Sequence, residues 1–311
     1  MLDRLIDAYT PLICWTGLGI LSVRFLPAAF PYWLGRGLYW VGVPIEIFSL
    51  ARQTTFDERA QLAPMITIGS LILGLGLGWV SLQIWQRLQP VSLAPTPGIK
   101  GSLLLCSMLG NTGFVGLAIV PSFVSATDLS WAVLYSVTQN VFGTYGLGVL
   151  VSSYYSRKDT ASNRWWMQLQ DLLRVPSLWG FALGSLTRSM GFPTVVESSL
   201  HASIWVVIPG AFILMGIRLS QIKGWQSLKL ALLPAIIKTI VMPTLVGMAM
   251  TMLGISGDPR LGLVLMSGMP CAFAGLILAA EYNLNGNLVA SSIIVSTLMF
   301  LIMIPVWLYF Y

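Results

Sequence analysis

The sequence predicts an all-α polytopic membrane protein: ten transmembrane helices in two inverted five-helix repeats, with the fourth and ninth helices broken. Three observations carry this prediction. Hydrophobic residues make up 56% of the 311 residues and charged residues 9%, against about 25% charged in a soluble domain, and the mean hydropathy is +0.80. The apolar runs lie evenly on either side of one hydrophilic linker, residues 155–175. Two runs, one in each half, are interrupted at their centres by glycine, proline and polar residues. A β-barrel is excluded, because its strands alternate and are weakly hydrophobic on average.

Span one covers residues 7–25, followed by a turn rich in Pro and Trp at 27–36. Span two, 38–51, is short and carries Pro44 and Glu46. Span three, 63–85, has Gly74, Gly76 and Gly78, which suit close helix packing. Span four, 100–124, is the first broken one, and span five, 128–154, carries Gln139 and Asn140. The linker holds Arg157, Lys158, Arg164 and Arg174. Spans six (176–190), seven (198–219, with Pro209), eight (228–253, with Lys238 and Pro243), nine (260–282, broken) and ten (287–311) complete the chain. The expected units are therefore a first repeat, 1–154, a cytoplasmic linker, 155–175, and a second repeat, 176–311. Five is an odd number, so consecutive repeats enter the membrane from opposite sides and are inverted.

Loops after spans one, three, five and seven carry most of the Lys and Arg, among them Arg36, Arg87, Arg164, Arg218 and Lys223; the other side has Arg4, Arg52, Arg59, Arg188 and Arg260. By the positive-inside rule the first set is cytoplasmic and both termini are outside. The expected location is the plasma membrane (a bacterial inner membrane), multi-pass. The net charge of +6 reflects these loops and points to no nucleic acid. Cys14, Cys106 and Cys271 have no metal or redox spacing, and the single histidine, His201, sits at a span end. No metal, no cofactor and no catalytic residue is expected. Without HExxH, a Ser–His pairing or an intramembrane Asp pair, the reading is not an enzyme.

The chemistry is expected at the breaks. Gly110-Asn111-Thr112-Gly113-Phe114-Val115-Gly116 places three glycines, an amide and a hydroxyl in mid-span. Unwound backbone at that depth is tolerated only where protein buries it or a watery cavity lies beside it. One constant shift lays Phe114-Val115-Gly116-Leu117 on Phe273-Ala274-Gly275-Leu276 and Asn111 on Pro270, within Gly268-Met269-Pro270-Cys271. Asn111 offers donors and acceptors that can hold a carboxylate without bringing a charge into the membrane; it could equally make a packing hydrogen bond, worth ~0.6–2 kcal/mol between spans. Backbone amides just past the first break, near Phe114 to Gly116, and those of a second half-helix starting near Pro270 to Phe273 would attract an anion with their positive ends; Thr112, Gly113 and Cys271 are candidate binding residues beside them. Pro270 suits a helix start or a simple kink.

Four further residues are expected in coupling or supporting roles. Glu46 in a span is expensive, at least ~2.5 kcal/mol on insertion scales, which makes it a candidate proton carrier or a glutamate that reaches water from a short span. Lys238 supports the site or snorkels to the surface. Gln139 and Asn140 face a cavity or join helices.

At Gly110 to Gly116 the chain resembles the auxin efflux carrier family, which includes the plant PIN carriers and many bacterial permeases and carries Asn-x-Gly-[Phe/Tyr]-x-Gly in its fourth span. Met269-Pro270-Cys271-Ala272, Ala280-Glu281-Tyr282, Ser296-Thr297 and Pro305-Val306-Trp307-Leu308 resemble the family's ending. The resemblance implies broken helices 4 and 9 that cross, a scaffold and a transporter domain, elevator-like motion and a homodimer. Ala118 stands where the family often has proline, and the long cytosolic loop of the plant proteins is reduced to residues 155–175. Both departures set the chain with the short microbial members and away from auxin itself.

The expected function is a secondary active transporter, an auxin efflux carrier-like permease. It would move a small organic anion or carboxylate across the bilayer by alternating access; the coupling ion stays open between protons, which Glu46 slightly favours, and sodium, which backbone carbonyls could hold. The alternative is a passive uniporter or channel for small anions on the same scaffold.

Overall fold

The computed structural model describes residues 2–27, 29–53, 58–88, 95–156, 176–221 and 228–311. The linker cations Arg157, Lys158, Arg164 and Arg174, the loop residue Lys223 and the side chain of His201 lie outside the described residues. The described residues are predominantly helical and contain no β-strand, only one isolated β-bridge.

Helix stands at every position where the sequence predicts a span. In order these are α1 (Leu2–Ser22), α2 (Phe30–Gly37) running through a wide π turn (Leu38–Gly42) into α3 (Val43–Gln53), and α4 (Ala63–Leu88). The first interrupted helix is α5 (Pro97–Met108), a π turn (Thr112–Gly116) and α6 (Leu117–Ile119). Then come α7 (Leu129–Thr138), a long π segment (Gln139–Gly148) and α8 (Val149–Tyr155). The second half has α9 (Pro176–Leu186), α10 (Thr194–Ser220), and α11 (Leu228–Ile236) joined by a π turn (Ile237–Val241) to α12 (Met242–Met252). The second interrupted helix is α13 (Asp258–Ser267) and α14 (Ala274–Glu281), and α15 (Gly286–Phe310) ends the chain. Among the described residues, Arg59–Arg87, Thr194–Ser220, Leu228–Met252 and Gly286–Phe310 are long and apolar enough to cross a membrane.

Helix ends shift by a few residues from the sequence reading, α1 covering Leu2–Ser22 and α9 ending at Leu186, and one stretch changes type. Residues 30–36 are helix rather than turn, because Pro31 sits in the first turn of α2, where its missing N–H would have had no partner anyway. Other starts are set by side-chain caps: Thr96 accepts the Ile99 amide at 3.4 Å ahead of Pro97, and Asn285 accepts the Leu288 amide at 2.9 Å.

The helices pack in two groups, each drawing on both halves of the chain. In the first, α1 lies along α10 and α3 along α9, and α3 and α2 also touch α10. In the second, α4 packs on α5 and α7, α11 on α15, and α12 on α13, while α13 reaches α7 and α5 reaches α15. Contacts between groups are sparser, through α3 and α7 and through α10 and the Thr112–Gly116 turn.

Glycine sets the close approaches. A Cβ on Gly184 of α9 would stand 2.6 Å from the Phe48 carbonyl oxygen of α3, and Gly216 of α10 is similarly closed by Thr16 of α1. In α4, a Cβ on Gly74 would meet the Ser107 carbonyl oxygen and one on Gly78 the Ser107 side chain, each at 2.8 Å. Gly76 has nothing within 4 Å, so only two of the three expected packing glycines pack. A further tie holds the first group at one end. Arg52, 9% exposed, donates to the carbonyls of Thr187 and Met190, pairs with Glu197 at 2.5 Å and lies 3.7 Å over the Phe192 ring.

Gly184→Ala should therefore lower thermal stability by about 1–3 kcal/mol, the range for overpacking a tight contact. Gly76→Ala should be neutral or raise it by up to about 1 kcal/mol through helix propensity. Thermal unfolding of the purified protein in detergent compares the two.

Candidate functional site

The two interrupted helices meet at their breaks. After Met108 and Ser267 the backbone leaves the helix among buried residues, and its amides and carbonyls need partners within the protein. They find each other. Gly110 and Cys271 form an antiparallel bridge, in which the Asn111 amide donates to the Pro270 carbonyl at 2.7 Å and the Ala272 amide to the Leu109 carbonyl at 3.1 Å. α15 helps, since Ser296 Oγ accepts the Cys271 amide at 2.9 Å. The Cys271 thiol donates to the Cys106 carbonyl at 3.2 Å, and both cysteines are free thiols.

Asn111 is buried, and its Oδ1 accepts the Phe114 amide at 3.3 Å. It thereby caps the helix that restarts after the break. The amides of Val115 and Gly116 bond to its carbonyl at 3.2 and 3.0 Å. The amides of Phe114 to Gly116 are thus occupied, contrary to the expectation that they face an anion. Among the described residues no bond is seen for the amides of Thr112 and Gly113 one step earlier. In the second break, Pro270 sits in the bridged stretch and not at a helix start, because α14 begins at Ala274. There the amides of Phe273 and Ala274 have no bond among the described residues.

The expected supporting residues gather here. Gln139 donates to the Gly110 carbonyl and to Thr112 Oγ1, the latter at 3.2 Å, and its own Oε1 is buried without a partner. Asn140 Nδ2 lies 3.7 Å from where a Cβ on Gly113 would be. Gly113 has that room to spare, whereas Gly116 is held by closeness: a Cβ there would meet Met266 Sδ at 2.8 Å.

Lys238 is 2% exposed and does not snorkel. A Cβ on Gly110 would stand 2.9 Å from Lys238 Cε and 3.1 Å from Nζ, with the Met269 carbonyl oxygen 3.3 Å away. The lysine therefore lies against the bridge itself, and Gly110 is glycine because the lysine fills the space of a side chain. Glu46 is 2% exposed with Oε1 buried and unpartnered, so it does not reach the surface of the chain. It lies one turn along α3 from Val43, whose Cγ1 is 3.9 Å from the Cβ position of Gly113.

A cavity of about 330 Å³ runs from Arg218, Gln221 and Asn287 to Phe273 and Leu276. A shallower, almost wholly apolar groove of about 480 Å³ lies elsewhere, between α3 and α9, beside Trp40 and Trp179. Sequence reasoning gives no role to Ser296 or Gly110, and treats Arg218 only as a loop cation. The signal for Gly110 is present in the glycine beside Asn111, but nothing local ties it to a lysine in another span.

Comparison with known proteins bears on the chain as a whole. Residues 40–308 match the family model described as membrane transport protein. An uncharacterised transporter of Methanocaldococcus jannaschii is 28% identical over 212 residues, 67% of each chain. A second, from Methanothermobacter thermautotrophicus, is 24% identical over 275 residues, 88% of this chain and 87% of the relative. The resemblance read at Gly110 to Gly116 is borne out by a match over most of the chain, and the chain belongs to the membrane transport protein family, the family of the auxin efflux carrier-like permeases.

Proposed function

We propose that this protein is a secondary active carrier for a small organic anion, working by alternating access around the paired breaks. The observation that carries this reading is Lys238, an ammonium group 2% exposed against the bridge of Gly110 and Cys271. The same two breaks carry the amides of Thr112, Gly113, Phe273 and Ala274, for which no bond is seen among the described residues, and the side-chain amide of Asn111. Every one of these groups favours negative charge, and a carboxylate is the simplest metabolite group that answers them.

Ten spans in two inverted repeats account for the packing. Exchanging span one for six, two for seven, and so on turns the α1–α10 pair into the α9–α3 pair, and α4–α5 into α12–α13. The same exchange turns α5–α15 into α13–α7. The group of α1, α2, α3, α9 and α10 then serves as scaffold. The group carrying both breaks moves against it as an elevator, with the sparse contacts between them as the sliding surface. Glu46 stands on the scaffold side of that surface, where it can carry a proton. The plasma membrane, with both termini outside, and a homodimer complete the proposal.

The test is flux of a labelled carboxylate panel into proteoliposomes, with a pH gradient and a membrane potential imposed separately. Saturable flux of at least one carboxylate is expected; its absence for all, from folded protein, overturns the anion reading.

Lys238→Met should raise the half-saturating substrate concentration about ten- to hundred-fold. A hydrogen bond to a charged group contributes about 1.5–3 kcal/mol, and 1.4 kcal/mol is a factor of ten. Unchanged affinity would remove the lysine from the site. Asn111→Ser keeps a capping oxygen and so the fold, but lacks the amide donors. Saturable flux should be lost while the unfolding temperature stays near wild type. Glu46→Gln should keep substrate affinity and lose the response to an imposed pH gradient; a variant that still follows the gradient excludes Glu46 as the proton carrier.

A further inference from the structure

The cavity between the end of α10 and the start of α14 has a chemistry of its own. Its rim holds one cation, Arg218, and two amides, Gln221 and Asn287, while Phe273, Leu276 and Ala290 make its apolar walls. Among the described residues, none of those lining it is acidic. Arg218 is half-buried and has no carboxylate partner among the described residues. A guanidinium cannot shed its proton in a protein and presents a planar fork that matches a carboxylate. At the inner end, Phe273 belongs to the second break, and its amide and that of Ala274 have no bond among the described residues. The volume, about 330 Å³, is at the small end for ligand pockets.

We infer that this cavity is a water-open vestibule that selects anions, with Arg218 as the group that takes a carboxylate. The ligand class is a monocarboxylate with a compact apolar body. One carboxylate is matched by Arg218 and the amides at the rim, the body by the walls around Leu276 and Ala290, and a second carboxylate would find no second cation among the described lining residues. That the ligand is also the transported substrate rests on the carrier reading above; the anion preference of the cavity does not.

The test needs no knowledge of the substrate. Cys14 is exposed and the other two cysteines are buried, so Ala290→Cys in a Cys14→Ser background puts one reporter thiol on the wall. The purified full chain in detergent is treated with two methanethiosulfonates of similar size, one bearing a sulfonate and one a trimethylammonium group. Each forms a mixed disulfide with the thiolate and releases methanesulfinate, and rates are normalised to those with a free thiol.

The anionic reagent should react about tenfold faster or more, the lower end of what a charged cleft does to local ion concentration. Arg218→Gln should bring the ratio to near one, and Arg218→Lys should keep most of it. Gln221→Glu, which leaves Arg218 in place, should lower the ratio too. Benzoate should protect the thiol better than succinate. No reaction with either reagent, or a ratio that Arg218→Gln does not move, overturns the inference. If the charge preference holds while carboxylate flux is absent, the vestibule stands and the carrier reading falls. If flux is present and the preference is not, the reverse applies.

Discussion

Backbone amides and carbonyls that leave a helix inside hydrocarbon must be satisfied by protein, and the rest of this architecture depends on how that is done. Each break supplies what the other lacks: an amide from Asn111, a carbonyl from Pro270, and the reverse through Ala272 and Leu109. The exchange fixes the two interrupted helices against each other. It also leaves a few donors over, the amides for which no bond is seen among the described residues, and in the carrier proposed above these give the site its chemistry. On that proposal, binding capacity is a remainder of structural bookkeeping, located where two incomplete helices are made complete.

The π turns belong to the same logic. The wide turns at Thr112–Gly116, Gln139–Gly148 and Ile237–Val241 carry Thr112, Gln139 and Lys238, all of them around the bridge. A fourth, Leu38–Gly42, carries Tyr39, whose hydroxyl pairs with that of Tyr145 in the long π segment. A π turn adds a residue to the helix circumference and rotates the helical turns beyond it. It thereby aims a side chain that a regular helix would present to a neighbouring face.

Much of this is legible in the sequence. The helical stretches and the two breaks come from apolar runs and their interruptions, and the glycine spacings foretell close contacts at Gly74 and Gly78. Lys238 reads as able to snorkel because sequence gives depth along a span but not the face. A π turn, invisible in residue types, decides that face. Pro270 reads as a helix start because proline usually is one; here the pairing of the breaks keeps residues 270–272 out of helix, and α14 begins only at Ala274. The amides of Phe114 to Gly116 read as free because the cap made by Asn111 is a matter of side-chain rotation. Arg218 looks like a loop cation because the wall it faces comes from α14 and α15, far along the chain. For Pro270 and Arg218 the missing information is a contact between distant segments; for Lys238 and the amides of Phe114 to Gly116 it is local geometry that residue types do not set.

The bridge also has a consequence for synthesis. Cys106 and Cys271, bonded across the two breaks, are 165 residues apart. The ribosome delivers α5 to the membrane long before α13 exists, so for that interval the first break has no partner. The nascent chain must keep those polar groups at the translocon, in water or on a helper protein until the second half arrives. The first half alone is thus a kinetic intermediate with an open seam, and the yield of the folded protein depends on how quickly the ribosome closes it.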